Sequence, residues 1–211
     1  MIIAPIAVAL AAAAPAVTPT RLPPVEQCRD DQSFDRFRST LEDAITRKDV
    51  AALRKLAAPG IIANFGGGSS WDAFAEQWGL TSNSGQSALW KEMAAVIALG
   101  CGITPDGGRV FPGMFEAMGD EADPYELVVA RPGTPLHSQA RTDSAIIAKL
   151  DWSSAIVVNT EGPEGWAKIQ LLRGGPLGWV ETGAIISPLG YRLVSEKQDD
   201  RWVITAFVAG D

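Results

Sequence analysis

Gly165-Trp166-Ala167-Lys168-Ile169 and Gly178-Trp179-Val180 are the segments whose reading decides the fold of this chain. They stand among short strand candidates at 125–130, 134–138, 146–150, 155–159, 166–171 and 178–180, with two more at 191–197 and 202–208. Short runs rich in β-branched and aromatic residues, bounded by Gly, Pro and Asp, read as strands. Arg131-Pro132-Gly133-Thr134 is a type II turn signal. Pro fixes the φ of the second position, and Gly accepts the positive φ of the third. Gln198-Asp199-Asp200 predicts the turn of a closing hairpin.

Upstream the period changes. Phe34, Phe37, Leu41, Ala44 and Ile45 recur at helical spacing, followed by Leu53 and Leu56. Asp31 or Ser33 can cap the start, and Asp49, after the Lys48 interruption, can cap a second helix over 50–57. Pro59-Gly60 reads as its stop, and 61–65 as a short strand. Gly66-Gly67-Gly68 turns the chain. It lacks the Gly-Lys-Ser/Thr ending of a phosphate loop. Ser70 caps a helix over 71–78 with Trp71, Phe74, Ala75 and Trp78 inward. Ser87 precedes a further amphipathic stretch carrying Leu89, Trp90, Met93, Val96 and Ile97, with Gly100 placed as a C-cap. Residues 101–124 are rich in Gly and Pro and read as a connector. The expected fold is α+β: a mainly helical region over 17–124, a small β-barrel over 125–188 and a C-terminal β-hairpin over 189–211.

Residues 1–20 read MIIAPIAVALAAAAPAVTPT. The apolar run is too short to span a bilayer, which takes ~20 residues. With small residues after it, it suits a secretory signal over 1–16, cut after Ala16, although a basic n-region is missing. A periplasmic or secreted location follows, with no lipid anchor and no transmembrane segment once the signal is removed. Export puts Cys28 and Cys101 in an oxidising compartment, where a bridge is expected; two buried thiols are the alternative.

The chain has 211 residues, 46% hydrophobic and 20% charged, with a formal charge of −7. That composition is globular. The acidic balance disfavours nucleic acid, whose affinity rests on Lys and Arg neutralising phosphates. One His and two Cys exclude three-His and four-Cys zinc sites. No cofactor and no metal are expected.

Residues 134–186 resemble a bacterial Src homology 3 domain. The resemblance rests on Ser144-Ala145-Ile146-Ile147-Ala148-Lys149-Leu150 followed by the two Gly-aromatic segments. His137 stands where that family usually has Arg, and Ala140 where it has Pro. The resemblance implies a small barrel that binds cell-envelope material. The ending, with Asn64-Phe65-Gly66-Gly67 and Glu76-Gln77-Trp78-Gly79-Leu80, is similar to a group of exported bacterial proteins of unknown function. The flanking regions also resemble the nuclear-transport-factor-2-like cone. That likeness implies that the C-terminal hairpin packs on the N-terminal helices, with the barrel inserted.

Candidate chemistry is sparse. His137 is the one imidazole, with Ser138 and Asp143 near it, but no nucleophile elbow surrounds any Ser. Cys101 has no activating motif. Asp72 and Glu76 share a helix face, as ordinary solvated acids often do. Asp120, Glu121 and Asp123 lack the spacing of a calcium loop. No catalytic residue is assigned. Trp152, Trp166 and Trp179, with His137, are the candidate ligand-binding residues, either lining a groove or filling the barrel. The expected function is a non-catalytic binding protein of the cell envelope. Its ligand would be a peptide, a glycan such as cell-wall material, or an envelope protein. The alternatives are a small enzyme or ligand-binding protein with a nuclear-transport-factor-2-like cavity, and a structural assembly protein.

Overall fold

The computed structural model describes residues 20–66, 68–117, 123–159 and 162–210. The expected signal sequence and its cleavage point, Gly67, and Asp120 and Glu121 of the acidic loop lie outside the described residues. Among the described residues, four helices and two mostly antiparallel sheets make an α+β protein.

Helix α1 spans Gln32–Arg47 and begins at Asp31, whose carboxylate accepts the N–H groups of Ser33 and Phe34. These are donors that the helix itself leaves without partners. Phe34, Phe37, Leu41, Ala44 and Ile45 form its buried stripe, and Lys48 ends it in the left-handed region. Asp49 caps α2, Val50–Leu56, through the Ala52 N–H. Ser70 caps α3, Trp71–Gln77, through the Ala73 N–H. Helix α4, Leu89–Ile97, buries Leu89, Trp90, Met93, Val96 and Ile97, with the Ser87 hydroxyl accepting from the Leu89 N–H.

The first sheet holds β1 (Ala57–Ile62), β2 (Gly102–Ile103), β3 (Arg109–Phe111), β11 (Arg192–Gln198) and β12 (Arg201–Val208), in the order β1-β12-β11-β3-β2. Strand β1 runs parallel to β12; the other pairs are antiparallel. Strand β12 sends Trp202, Ile204 and Phe207 into the same core as Phe34, Leu41, Phe74 and Met93. The turn between β11 and β12 places Asp199 and Asp200 both at positive φ, the geometry of a tight hairpin.

Three expectations need correction here. Residues 57–62 form a strand that contains Pro59-Gly60, where a helix stop and a later strand were expected. β1 is an edge strand whose register shifts between Ala57 and Ile62, so the missing Pro59 N–H costs no ladder bond. Second, the connector 101–124 contributes β2 and β3 to the first sheet. Strands of two and three residues carry no readable alternation. Residues 57–111 therefore supply three strands to a region expected to be mainly helical.

The second sheet holds β4 (Leu127–Ala130), β5 (Thr134–His137), β6 (Ile146–Leu150), β7 (Ser153–Asn159), β8 (Trp166–Leu171), β9 (Leu177–Glu181) and β10 (Ile185–Ile186), in the order β10-β4-β7-β8-β9-β5-β6. The third correction falls here. Among the described residues the edges β10 and β6 do not pair, so the sheet is open and not a closed barrel. Strand β10 has two residues, and both pair with β4 before the chain leaves for β11. Val128, Ala130, Leu136, Leu150, Ala155, Ala167, Ile169, Leu171 and Val180 make a second core under this sheet. At the expected type II turn Gly133 has φ +81, and the Thr134 N–H donates to the Arg131 carbonyl at 3.2 Å.

An N-terminal strap touches both sheets. The Leu22 N–H donates to Trp152 O, the Ser154 N–H donates to Thr20 O, and Arg21 pairs with Asp151 at 2.5 Å. Further along, the Gln27 N–H donates to Cys101 O, and Cys28 and Cys101 lie at disulfide distance, 1.94 Å between sulfurs. Gly100, at φ +80, lies so close to the Val25 backbone that a Cβ would collide with its carbonyl. No helix of the described residues is long and apolar enough to cross a membrane.

Candidate functional site

Strand alternation decides which way the candidate aromatics face. In β8, Ala167, Ile169 and Leu171 are buried in the second core, so Trp166, Lys168 and Gln170 stand on the opposite face. In β9, Val180 is core, so Leu177, Trp179 and Glu181 share that opposite face. Trp166 pairs with Glu181, and Lys168 pairs with Trp179. Trp179 in turn pairs with His137 on β5, and His137 with Ile146 on β6. A row Ile146–His137–Trp179–Lys168 thus crosses four strands on the face away from the core. Both tryptophans are half-buried, and neither belongs to the second core.

Contacts hold this face in place. The His137 ring, 4% exposed, meets the Trp166 ring edge-on, with centroids 5.3 Å apart. The Lys168 ammonium lies 5.7 Å from the centre of the Trp179 ring, within cation–π range. Gly162 backs onto the far edge of Trp179, where a Cβ would come within 2.6 Å of the ring. Ile146 is 62% exposed and Leu177 44% exposed, which extends the apolar surface on either side of the tryptophans.

Trp152 does not join them. It sits in the turn between β6 and β7 at φ 49, beside Leu150, which pairs with Thr134 at the other end of β5 from His137. Its backbone carbonyl receives the N-terminal strap. Among the sequence candidates, then, His137, Trp166 and Trp179 come together and Trp152 stands apart.

The hydroxyl beside the imidazole belongs to Ser144, 3.3 Å from His137 Nδ1, and not to Ser138. Ser144 Oγ also donates to the carbonyls of Gln139 and Arg141, each at 3.0 Å, so its one proton is shared within the loop that it closes. Asp143 pairs with Arg141 at 3.4 Å. Asp72 is 3.6 Å from Arg54, on the solvated face of α3. The one group of possible metal ligands among the described residues is Glu26, Cys28 and Cys101, and both of its sulfurs belong to the bridged pair.

Sequence reasoning overlooked Lys168, Ser144, Ile146, Leu177 and Gly162. The alternation of Trp166-Ala167-Lys168-Ile169 contained the signal: small and branched residues at 167 and 169 claim the core face. No family model, curated protein or solved structure matches the chain.

Proposed function

We propose that this is an exported, non-catalytic binding protein of the cell envelope, and that the outer face of the second sheet is its ligand surface. The observation that carries the reading is the placement of Trp166 and Trp179 on the face away from the core, around a buried His137. Rigid aromatic area exposed at low entropy cost is what recognition of sugar rings and peptide backbones uses. The second sheet is read as a divergent Src homology 3-like module, on the strength of its middle segment and its two Gly-aromatic strands. A ligand of peptidoglycan type suits a surface with one lysine beside its tryptophans and a chain of net charge −7, which would repel a polyanion. The cysteine pair at disulfide distance supports a periplasmic or secreted location.

The test is co-sedimentation of the full chain with purified cell-wall sacculi, for the parent and for Trp179→Ala. Retention that falls at least about tenfold in the variant, with the unfolding midpoint little changed, supports the reading. A folded variant retained as well as the parent removes this face from the function.

A further inference from the structure

A cavity lies where the two sheets meet. It encloses about 230 Å³ between α4 and the chain that passes from β10 to β11. Val96, Leu99, Ile185 and Tyr191 supply apolar wall, and Glu92 and Arg131 supply opposite charges. Both charged side chains are half-buried. Among the described residues neither has an ion-pair or hydrogen-bond partner for its charged end, although they line the same cleft. Two opposite charges that share a cleft without closing on each other can each take a complementary group from one ligand.

The walls are held before any ligand arrives. The Arg131 N–H donates to Ala184 O at 2.9 Å, and the Arg131 carbonyl accepts from the backbone N–H and hydroxyl of Thr134. The Tyr191 ring stacks on Phe207, with centroids 5.0 Å apart and planes inclined by 13°, and meets Trp78 at 5.2 Å. Glu92 stands in the first turn of α4. Rigid walls reduce the ordering cost of binding. The volume lies below the ~300–1,000 Å³ of drug-sized pockets, so the occupant is small.

We propose that this cleft binds a free α-amino acid with an aliphatic side chain, its ammonium on Glu92, its carboxylate on Arg131 and its side chain on the apolar wall. The site is separate from the aromatic face, and the proposal stands without it.

The experiment is an NMR titration of the full chain with leucine, with 4-methylpentanoate, which lacks the ammonium, and with 3-methylbutan-1-amine, which lacks the carboxylate. Leucine should shift the amides of Val96, Leu99 and Ile185 with a Kd of about 0.1–1 mM, and each analogue should bind at least about tenfold more weakly. Arg131→Met and Glu92→Gln should each weaken leucine about tenfold with little change in the unfolding midpoint, since neither charged end has a side-chain partner to lose and Glu92 gives up only its place in the first turn of α4. No shift at those amides in about 10 mM leucine overturns the proposal. Equal binding of the three compounds overturns it as well, and that comparison needs only the parent protein.

Discussion

The guanidinium carbon of Arg109 sits 4.9 Å from the centre of the Trp202 ring. This contact ties β3, from a segment with little sequence signature, to the final strand β12. Around it runs a chain of polar contacts. The Trp202 indole N–H donates to Ser33 Oγ at 3.0 Å, Ser33 Oγ donates to Asp31 at 2.5 Å, and Asp31 lies 3.7 Å from Arg109. Arg109 also lies 5.6 Å from the Phe34 ring and donates to the Gly107 carbonyl at 2.6 Å. The cap of α1 is thereby locked to the first sheet.

Arg109→Ala should lower stability by about 2 kcal/mol, through lost cation–π attraction and lost packing of the aliphatic stem. Arg109→Met keeps the stem and should recover less than half of that loss. Chemical denaturation of the two variants checks the split. A methionine variant as stable as the parent would show that the stem, not the charge, holds Trp202.

Asp31 carries a pH dependence. The Ser33 hydroxyl is the largest influence on its carboxylate; burial opposes it, and the N–H groups of Phe34 and Ser33 and the Lys197 charge act with it. The net effect holds the carboxyl below its ordinary 3.8. A folded-state pKa below the unfolded one gives stability that is present above about pH 4 and lost as pH falls through the folded value. Asp31→Ala should cost about 1 kcal/mol at neutral pH, the usual worth of an N-cap. Urea midpoints of parent and variant should converge as the pH falls below about 4. A constant gap down to about pH 2 would show that the ionised form contributes nothing.

The bridge between Cys28 and Cys101 fastens the strap. It spans 73 positions in sequence, and closing a loop of that length is worth roughly 4 kcal/mol in the unfolded chain. Reduction should lower the unfolding midpoint of the full chain substantially. Labelling of unreduced, denatured protein should find no free thiol, and two labelled cysteines would end the claim.

The helices were legible because capping and period agree. Asp31, Asp49 and Ser70 each precede an apolar stripe, and each caps in the structure. Strands β6 and β8 were legible to the residue for a similar reason, being bounded by turn residues on both sides. What the sequence hid was pairing. Nothing local in Arg109-Val110-Phe111 shows that it joins β11, or in Gly102-Ile103 that it adds to β3; the partner of β3 lies some 80 residues on and is chosen by the core. The same limit kept Ser144 from view, since its meeting with His137 depends on the loop between β5 and β6. The face taken by Trp166 and Trp179 was readable from alternation, but only once the strands were assigned to one sheet.

The two classes of tryptophan in this protein should respond differently to truncation. Trp202 is 8% exposed, packs on Phe34 at 5.0 Å and donates to Ser33, so Trp202→Ala should cost about 3–5 kcal/mol, as for other large core aromatics. Trp179 is half-buried on the outer face, with Lys168 over its ring and Gly162 against its edge, so Trp179→Ala should cost no more than about 2 kcal/mol. Gly162→Ala gives an independent handle. Its new methyl must push the Trp179 ring aside without removing any aromatic area. The variant should remain folded, change the tryptophan emission, and weaken retention on cell-wall sacculi in step with Trp179→Ala. Denaturation curves for the three variants, measured beside the sedimentation assay, distinguish a surface from a core. If Trp179→Ala destabilises the protein as much as Trp202→Ala does, Trp179 is a core residue and its outward reading fails. If Gly162→Ala moves the emission yet leaves retention intact, the position of the ring does not matter to the ligand, and the aromatic face loses its role.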